Sequence, residues 1–139
     1  MKSLAILALA MLLIPLVQAR PVQNEDAWLK AINEEIEKTT PEGKEIIERV
    51  KRMLPEINRK LSTLPLEKLV EKFEKEKNVT PVGWAATSKR SGRWHILFYY
   101  KDDNNDYHIA EWEYNPETVR LYPFDEGNAA QFWSGPTSR

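Results

Sequence analysis

Residues 93–114 read Arg93-Trp94-His95-Ile96-Leu97-Phe98-Tyr99-Tyr100-Lys101, then Asp102-Asp103-Asn104-Asn105-Asp106, then Tyr107-His108-Ile109-Ala110-Glu111-Trp112-Glu113-Tyr114. Two runs rich in aromatic and β-branched residues alternate with period two around a cluster of turn formers, the pattern of an antiparallel hairpin. A one-residue slip would send every side chain to the opposite face, so hydrophobicity constrains the register. In the first run Trp94, Ile96, Phe98 and Tyr100 share a face. In the second, Ala110, Trp112 and Tyr114 form the more apolar set, with Glu111 and Glu113 between them. Bringing the apolar sets together requires an odd-length loop, which Asp103-Asn104-Asn105 supplies if Asn105 is left-handed. Trp94 then faces Tyr114, Ile96 faces Trp112, and Phe98 faces Ala110.

The same alternation extends outward on both sides. It predicts strands over 82–88, 93–101, 106–114 and 119–123, joined by short polar turns into a meander. Val82, Trp84 and Ala86 would enter the apolar face from one side, and Val119 and Leu121 from the other. Upstream the period becomes helical. Asn24 is placed to cap a first helix with Trp28, Ile32 and Ile36 on one side. Thr40-Pro41-Glu42 is a second start signal, followed by Ile47, Val50, Leu54, Ile57 and Leu61, with Pro55 expected to kink or split the run. Pro65 opens a third segment with Leu66, Leu69, Val70 and Phe73 on one side, a Glu71/Lys75 pair on the other, and Asn78 at its end. The apolar sheet face needs a cover, and these helices supply it. The expected fold is α+β: three N-terminal helices packed on one face of a four-stranded antiparallel meander.

The first nineteen residues have a different character. Lys2 precedes an uncharged apolar run from Leu4 to Val17, short for a membrane span. Val17-Gln18-Ala19 then has the small-residue pattern of a signal-peptidase site. The expected organisation is a signal peptide over 1–19, a helical segment over 20–80, and the sheet with a short C-terminal turn over 81–133. A tail follows over 134–139. In that closing turn Asp125 would cap a turn ending at Phe132-Trp133. The protein is expected to be exported, to a bacterial periplasm or the cell exterior, without stable membrane insertion after cleavage. It contains no cysteine, which rules out lipidation at a cysteine, thiolate metal sites and cysteine nucleophiles. Lys2 is the single charge before Arg20, so residues 20–139 carry 19 basic and 21 acidic side chains. Such a balance has no electrostatic footprint for nucleic acid.

The register also fixes the outward set: Arg93, His95, Leu97, Tyr99 and Lys101, then Tyr107, Ile109, Glu111 and Glu113, with Arg120 and Tyr122 beside them. Tyr99, Ile109 and Leu97 make an apolar centre, and His95, Glu111, Glu113 and Lys101 a charged rim, the pattern of many protein-binding patches. The competing structural role is cross-strand stabilisation, or cover by the Phe132-Trp133 segment. His95 beside Glu111 and Glu113 has the residue types for acid–base work or metal binding, but a flat strand surface favours a salt-bridge network. Asp102, Asn104 and Asp106 have part of a calcium-loop spacing. Tyr107 stands where that loop needs glycine, so a polar hairpin tip is the better reading. No G-x-S-x-G and no phosphate-binding glycine loop occur, and no cofactor is expected. Trp84, Trp94 and Trp112 fall on the core face, where packing outweighs a sugar-stacking role.

The expected function is therefore that of a small non-enzymatic binding protein of inhibitor, immunity or adaptor type, whose partner is another protein met by the outer sheet face. The alternative is an enzyme or small-ligand binder with a pocket between sheet and helices, lined by Tyr100, His108 and Tyr114. The order of helices and meander resembles the cystatin-like and PepSY-like small secreted folds, several of which block enzymes; that resemblance is one of architecture, with no shared motif.

Overall fold

A computed structural model describes residues 21–125 and 131–132. The expected signal peptide, the tail and Trp133 lie outside the described residues. The elements run α1 (Pro21–Glu37), α2 (Pro41–Lys51), β1 (Glu56–Ile57), β2 (Lys60–Leu61), α3 (Leu66–Lys77), β3 (Thr80–Ser88), β4 (Trp94–Lys101), β5 (Tyr107–Asn115) and β6 (Arg120–Pro123). Strands β3 to β6 form a four-stranded antiparallel sheet in sequence order, and β1 and β2 a separate small hairpin. The fold is α+β. Among the described residues no helix is long and apolar enough to cross a membrane.

The central register is the one the hydrophobic pattern requires: Trp94 pairs with Tyr114, Ile96 with Trp112 and Phe98 with Ala110. The turn explains it. Asp102 N–H donates to Asp106 O at 2.9 Å and Asn105 takes φ 68°, which leaves a three-residue loop with its last residue left-handed. The β3–β4 turn repeats the device with Gly92 at φ 83°. Two odd loops in succession keep the apolar sets of β3, β4 and β5 in phase.

Helices α2 and α3 cover that apolar face. The Thr40 hydroxyl caps α2 by accepting Gly43 N–H at 3.0 Å, with Pro41 in the first turn, as the start signal required. Leu66, Leu69, Val70 and Phe73 of α3 are all buried, and Asn78 ends the helix in the left-handed region. Trp112, at 0% exposure, lies at the centre of this core. Phe132 joins the same core, edge-on to Trp112 at 5.3 Å and against Phe73 at 4.5 Å. It therefore does not fold over the outer face.

Several expectations are corrected. Helix α1 begins before Asn24, so that residue lies within the helix. Helix α2 stops at Lys51, and the continuation expected through Leu54, Ile57 and Leu61 is instead a turn and the β1–β2 hairpin. Pro55 removes a helical donor and disfavours helix at Leu54. Asn58 and Arg59 then both take positive φ, as a two-residue type I′ hairpin turn demands. On α3 the ion pairs are Lys68–Glu71 and Lys72–Glu76, not Glu71–Lys75. Val82 leaves the expected face because a bulge between Pro81 and Gly83 shifts the register. It packs with the opposite face instead. Val119 is 64% exposed at φ 55° in the β5–β6 turn, leaving Leu121 as the inward residue.

Helix α1 lies apart from the other two. Its Ile32 and Ile36 pack with Ala85, Val82, Leu97, Tyr99 and Ile109, the outward-pointing set of the sheet. The α1–α2 corner thus straddles the free edge of β3, one helix on each face. The Thr39 hydroxyl accepts Ala86 N–H at 3.2 Å, satisfying a donor on an edge strand. Gly83 admits α1 closely: a Cβ there would lie 2.7 Å from Ile36 Cδ1. At Gly43 of α2 a Cβ would meet Thr39 Cγ2 of the corner at 2.9 Å and the Trp94 ring of β4 at 3.3 Å. Ile32 is the one buried side chain of α1 among residues 27–37. Full burial of an isoleucine is worth roughly 1.5–3 kcal/mol, and ordering the helix opposes it; α2 and α3 each bury four residues.

Candidate functional site

The outer face of β4, β5 and β6 gathers the residues that alternation points away from the main core. His95 pairs across the sheet with Glu113, Leu97 with Glu111, Tyr99 with Ile109 and Lys101 with Tyr107. Glu113 pairs in turn with Tyr122 of β6. All seven expected site residues, Leu97, Tyr99, Ile109, His95, Glu111, Glu113 and Lys101, therefore share one face. They divide into two halves.

The first half is apolar and lies beneath α1. Tyr99, expected at the exposed centre of the patch, is only 5% exposed. Burial, with Glu35 and Glu111 nearby, pushes its phenol up to about 12. Leu97 and Ile109 remain half-buried beside it. Lys101 marks the far margin, its ammonium 5.3 Å from the centre of the Tyr107 ring.

The second half is open and charged. His95 Nε2–H donates to Glu111 at 2.7 Å, a diagonal pairing rather than the directly opposite one. Glu113 is taken by Arg93 at 2.8 Å and by the Tyr122 hydroxyl at 3.3 Å. That hydrogen bond holds the Arg93 guanidinium above its usual pKa. The Tyr122 phenol is raised by desolvation and by Glu113. The sequence reading missed Phe124, which is 47% exposed. Its ring stacks on His95 at 4.7 Å, and the Lys89 ammonium sits 5.1 Å above it. Phe124 N–H donates to Glu111 O at 2.9 Å, which fixes the ring to the edge of β5. Continuing the alternation of Leu121 and Tyr122 by two residues would have placed it on this face. Arg120 grips Glu56 of β1 with two donors, tying the small hairpin to the sheet edge.

This half is a surface of paired charges around an aromatic step. Arg93, His95, Glu111 and Glu113 each have a partner, so their charges orient one another. Among the described residues no group of three or more histidine, aspartate or glutamate side chains is arranged to hold a metal.

His108 takes the core-face side of β5, as the register predicts, but at its exposed end. Its ring stacks on Tyr100 at 5.2 Å and its Nε2–H donates to Asp102 at 2.7 Å. Asp102 also accepts the N–H groups of Asn104 and Asp106 at 2.8 and 3.0 Å. Burial works to raise the Asp102 pKa, but hydrogen bonds from Asp106, His108 and Asn104 outweigh it and hold the carboxyl below its ordinary value. The D-x-N-x-D segment is thus a self-satisfied hairpin tip. Comparison of the chain with protein families, characterised proteins and solved structures finds no match.

Proposed function

We propose that this is a small exported, non-enzymatic binding protein of inhibitor, immunity or adaptor type, which meets a protein partner through the outer face of its sheet. One observation carries the reading: Phe124 stands exposed on that face with Tyr122 near it, inside a rim of Lys89, Arg93, His95, Glu111 and Glu113. An aromatic centre within a polar rim is where binding energy concentrates in protein interfaces. The paired rim charges suit recognition, because a partner's charges can join an oriented set and steer approach. In this reading the recognition centre lies at Phe124 and Tyr122, with Leu97 and Ile109 adjoining it. Tyr99 lies beside it on the same face, buried under α1.

The test is capture by the exported form with and without the aromatic step. Phe124→Ala should weaken a captured partner by about thirtyfold, the equivalent of roughly 2 kcal/mol for a central aromatic. Circular dichroism should show an unchanged fold. Equal capture by both forms would move the binding site elsewhere. Export is tested by intact mass of the secreted material, which should begin at or within two residues of Arg20; a chain retaining Met1 to Ala19 in a membrane fraction would overturn it.

A further inference from the structure

Three observations set α1 apart from the rest of the molecule. Among residues 27–37 no side-chain hydrogen bond or ion pair reaches the sheet; the ion pair there, Glu35 with Lys38, is local. None of residues 27–37 belongs to the main core, which residues of α2, α3, the sheet and Phe132 build. Its Trp28 and Leu29 are each 37% exposed, and among residues 27–37 Ile32 is the one buried side chain, with Ile36 partly buried against the same strip.

The corner at the end of α1 is firmly held. Thr39 accepts Ala86 N–H, and Thr40 caps α2. Any motion of α1 therefore turns at a fixed point beside the β3 edge and leaves α2 in place. What α1 covers is itself a coherent surface. Ala85 and Tyr99 are buried beneath it, and Leu97 and Ile109 flank them.

We propose that α1 is a hinged cover: it leaves the sheet as a unit, turning at Lys38–Thr39, and uncovers the strip of Ala85, Leu97, Tyr99 and Ile109 while α2, α3 and the sheet stay folded. Segments held by few buried contacts open at lower free energy than the core. The inference rests on the packing alone and stands whether or not the open half of the face binds a protein.

Hydrogen exchange of the full exported chain decides it. Amides of residues 27–37 should exchange at least about a hundredfold faster than those of β4 and β5, with a denaturant dependence that is measurable but smaller than that of global unfolding, as sub-global opening requires. Equal protection, with the same denaturant dependence, would make α1 part of the single cooperative unit and overturn the proposal. A tether separates release from fraying, and the absence of native cysteine makes it clean. A Cβ at Gly83 would lie 3.6 Å from Ile36 Cγ1, so Ile36→Cys with Gly83→Cys places two thiols together. Oxidation should slow the amides of residues 32–37 and leave β4 and β5 unchanged, and reduction should reverse it. Exchange that stays fast in the oxidised form would mean fraying of the helix, not release. A single Ala85→Cys should also react with a thiol reagent about a hundredfold faster than Ala110→Cys, whose site is closed by α2 and α3. Equal rates would again count against the cover.

Discussion

The two faces of the sheet are products of one alternating sequence, yet they are finished differently. The inner face carries Trp94, Ile96, Phe98, Trp112 and Tyr114 and is sealed by two helices and Phe132. The outer face carries a shorter apolar strip under a single helix, and beyond it an open field of paired charges. The inner face holds the fold together, and the outer face has a surface left over for other uses. Burial depth, more than residue type, separates them: Trp112 and Phe124 are both aromatic, at 0% and 47% exposure.

The sharpest way to break this contrast is on the inner face. Trp112→Ala should destabilise by about 3–5 kcal/mol, the usual cost of deleting a buried aromatic; a denaturant titration giving under about 1 kcal/mol would be surface behaviour and would reverse the two faces. Under α1, Ile32→Ala should cost about 2 kcal/mol, the low end for a buried isoleucine, because a single helix can settle into the space. In chemical denaturation the full core value at Ile32 would mean that the two faces are equally sealed. At the edge between the faces, Thr39→Val removes the acceptor for Ala86 N–H and should cost about 1–2 kcal/mol for a buried donor left unpaired. Thermal unfolding of that variant measures how far the corner holds both helices.

The smallest effect is in titration. Tyr99 on the outer face and Tyr100 on the inner face are both pushed up to about 12, chiefly by burial. A phenol raised in the folded state favours the neutral form there. Its stabilisation is whole below the ordinary value of 10.0 and is lost as pH rises toward about 12. Absorbance titration should therefore show Tyr99 and Tyr100 ionising late, with stability falling across the same window. If α1 opens readily, Tyr99 should ionise before Tyr100.

Much of the inner face was legible in the sequence. An odd loop ending at Asn105 and the alternation around it leave one register that buries Trp94, Ile96 and Trp112 together. The Thr40-Pro41 start and the Leu66–Phe73 stripe were equally plain, because caps and helical spacing are local. The stretch from Leu54 to Leu61 was misleading, since its 3-4 spacing imitates a helix while Pro55, Asn58 and Arg59 specify a hairpin. Of the candidate site, its membership on one face could be read from parity, whereas the burial of Tyr99 could not.

Local pattern along the chain dictates the α+β class, the meander, its register and the identity of the two faces, because side-chain parity and turn chemistry act over a few residues. Which face each helix covers is set only in three dimensions. The stripe of Ile32 and Ile36 specifies that α1 must bury a side, but a sheet with apolar residues on both faces offers two places to do so. The choice is made where the α1–α2 corner crosses the β3 edge, with Thr39 bonded to Ala86 and Gly83 yielding room to Ile36. Those contacts join residues more than forty positions apart, and no local pattern in the chain encodes them.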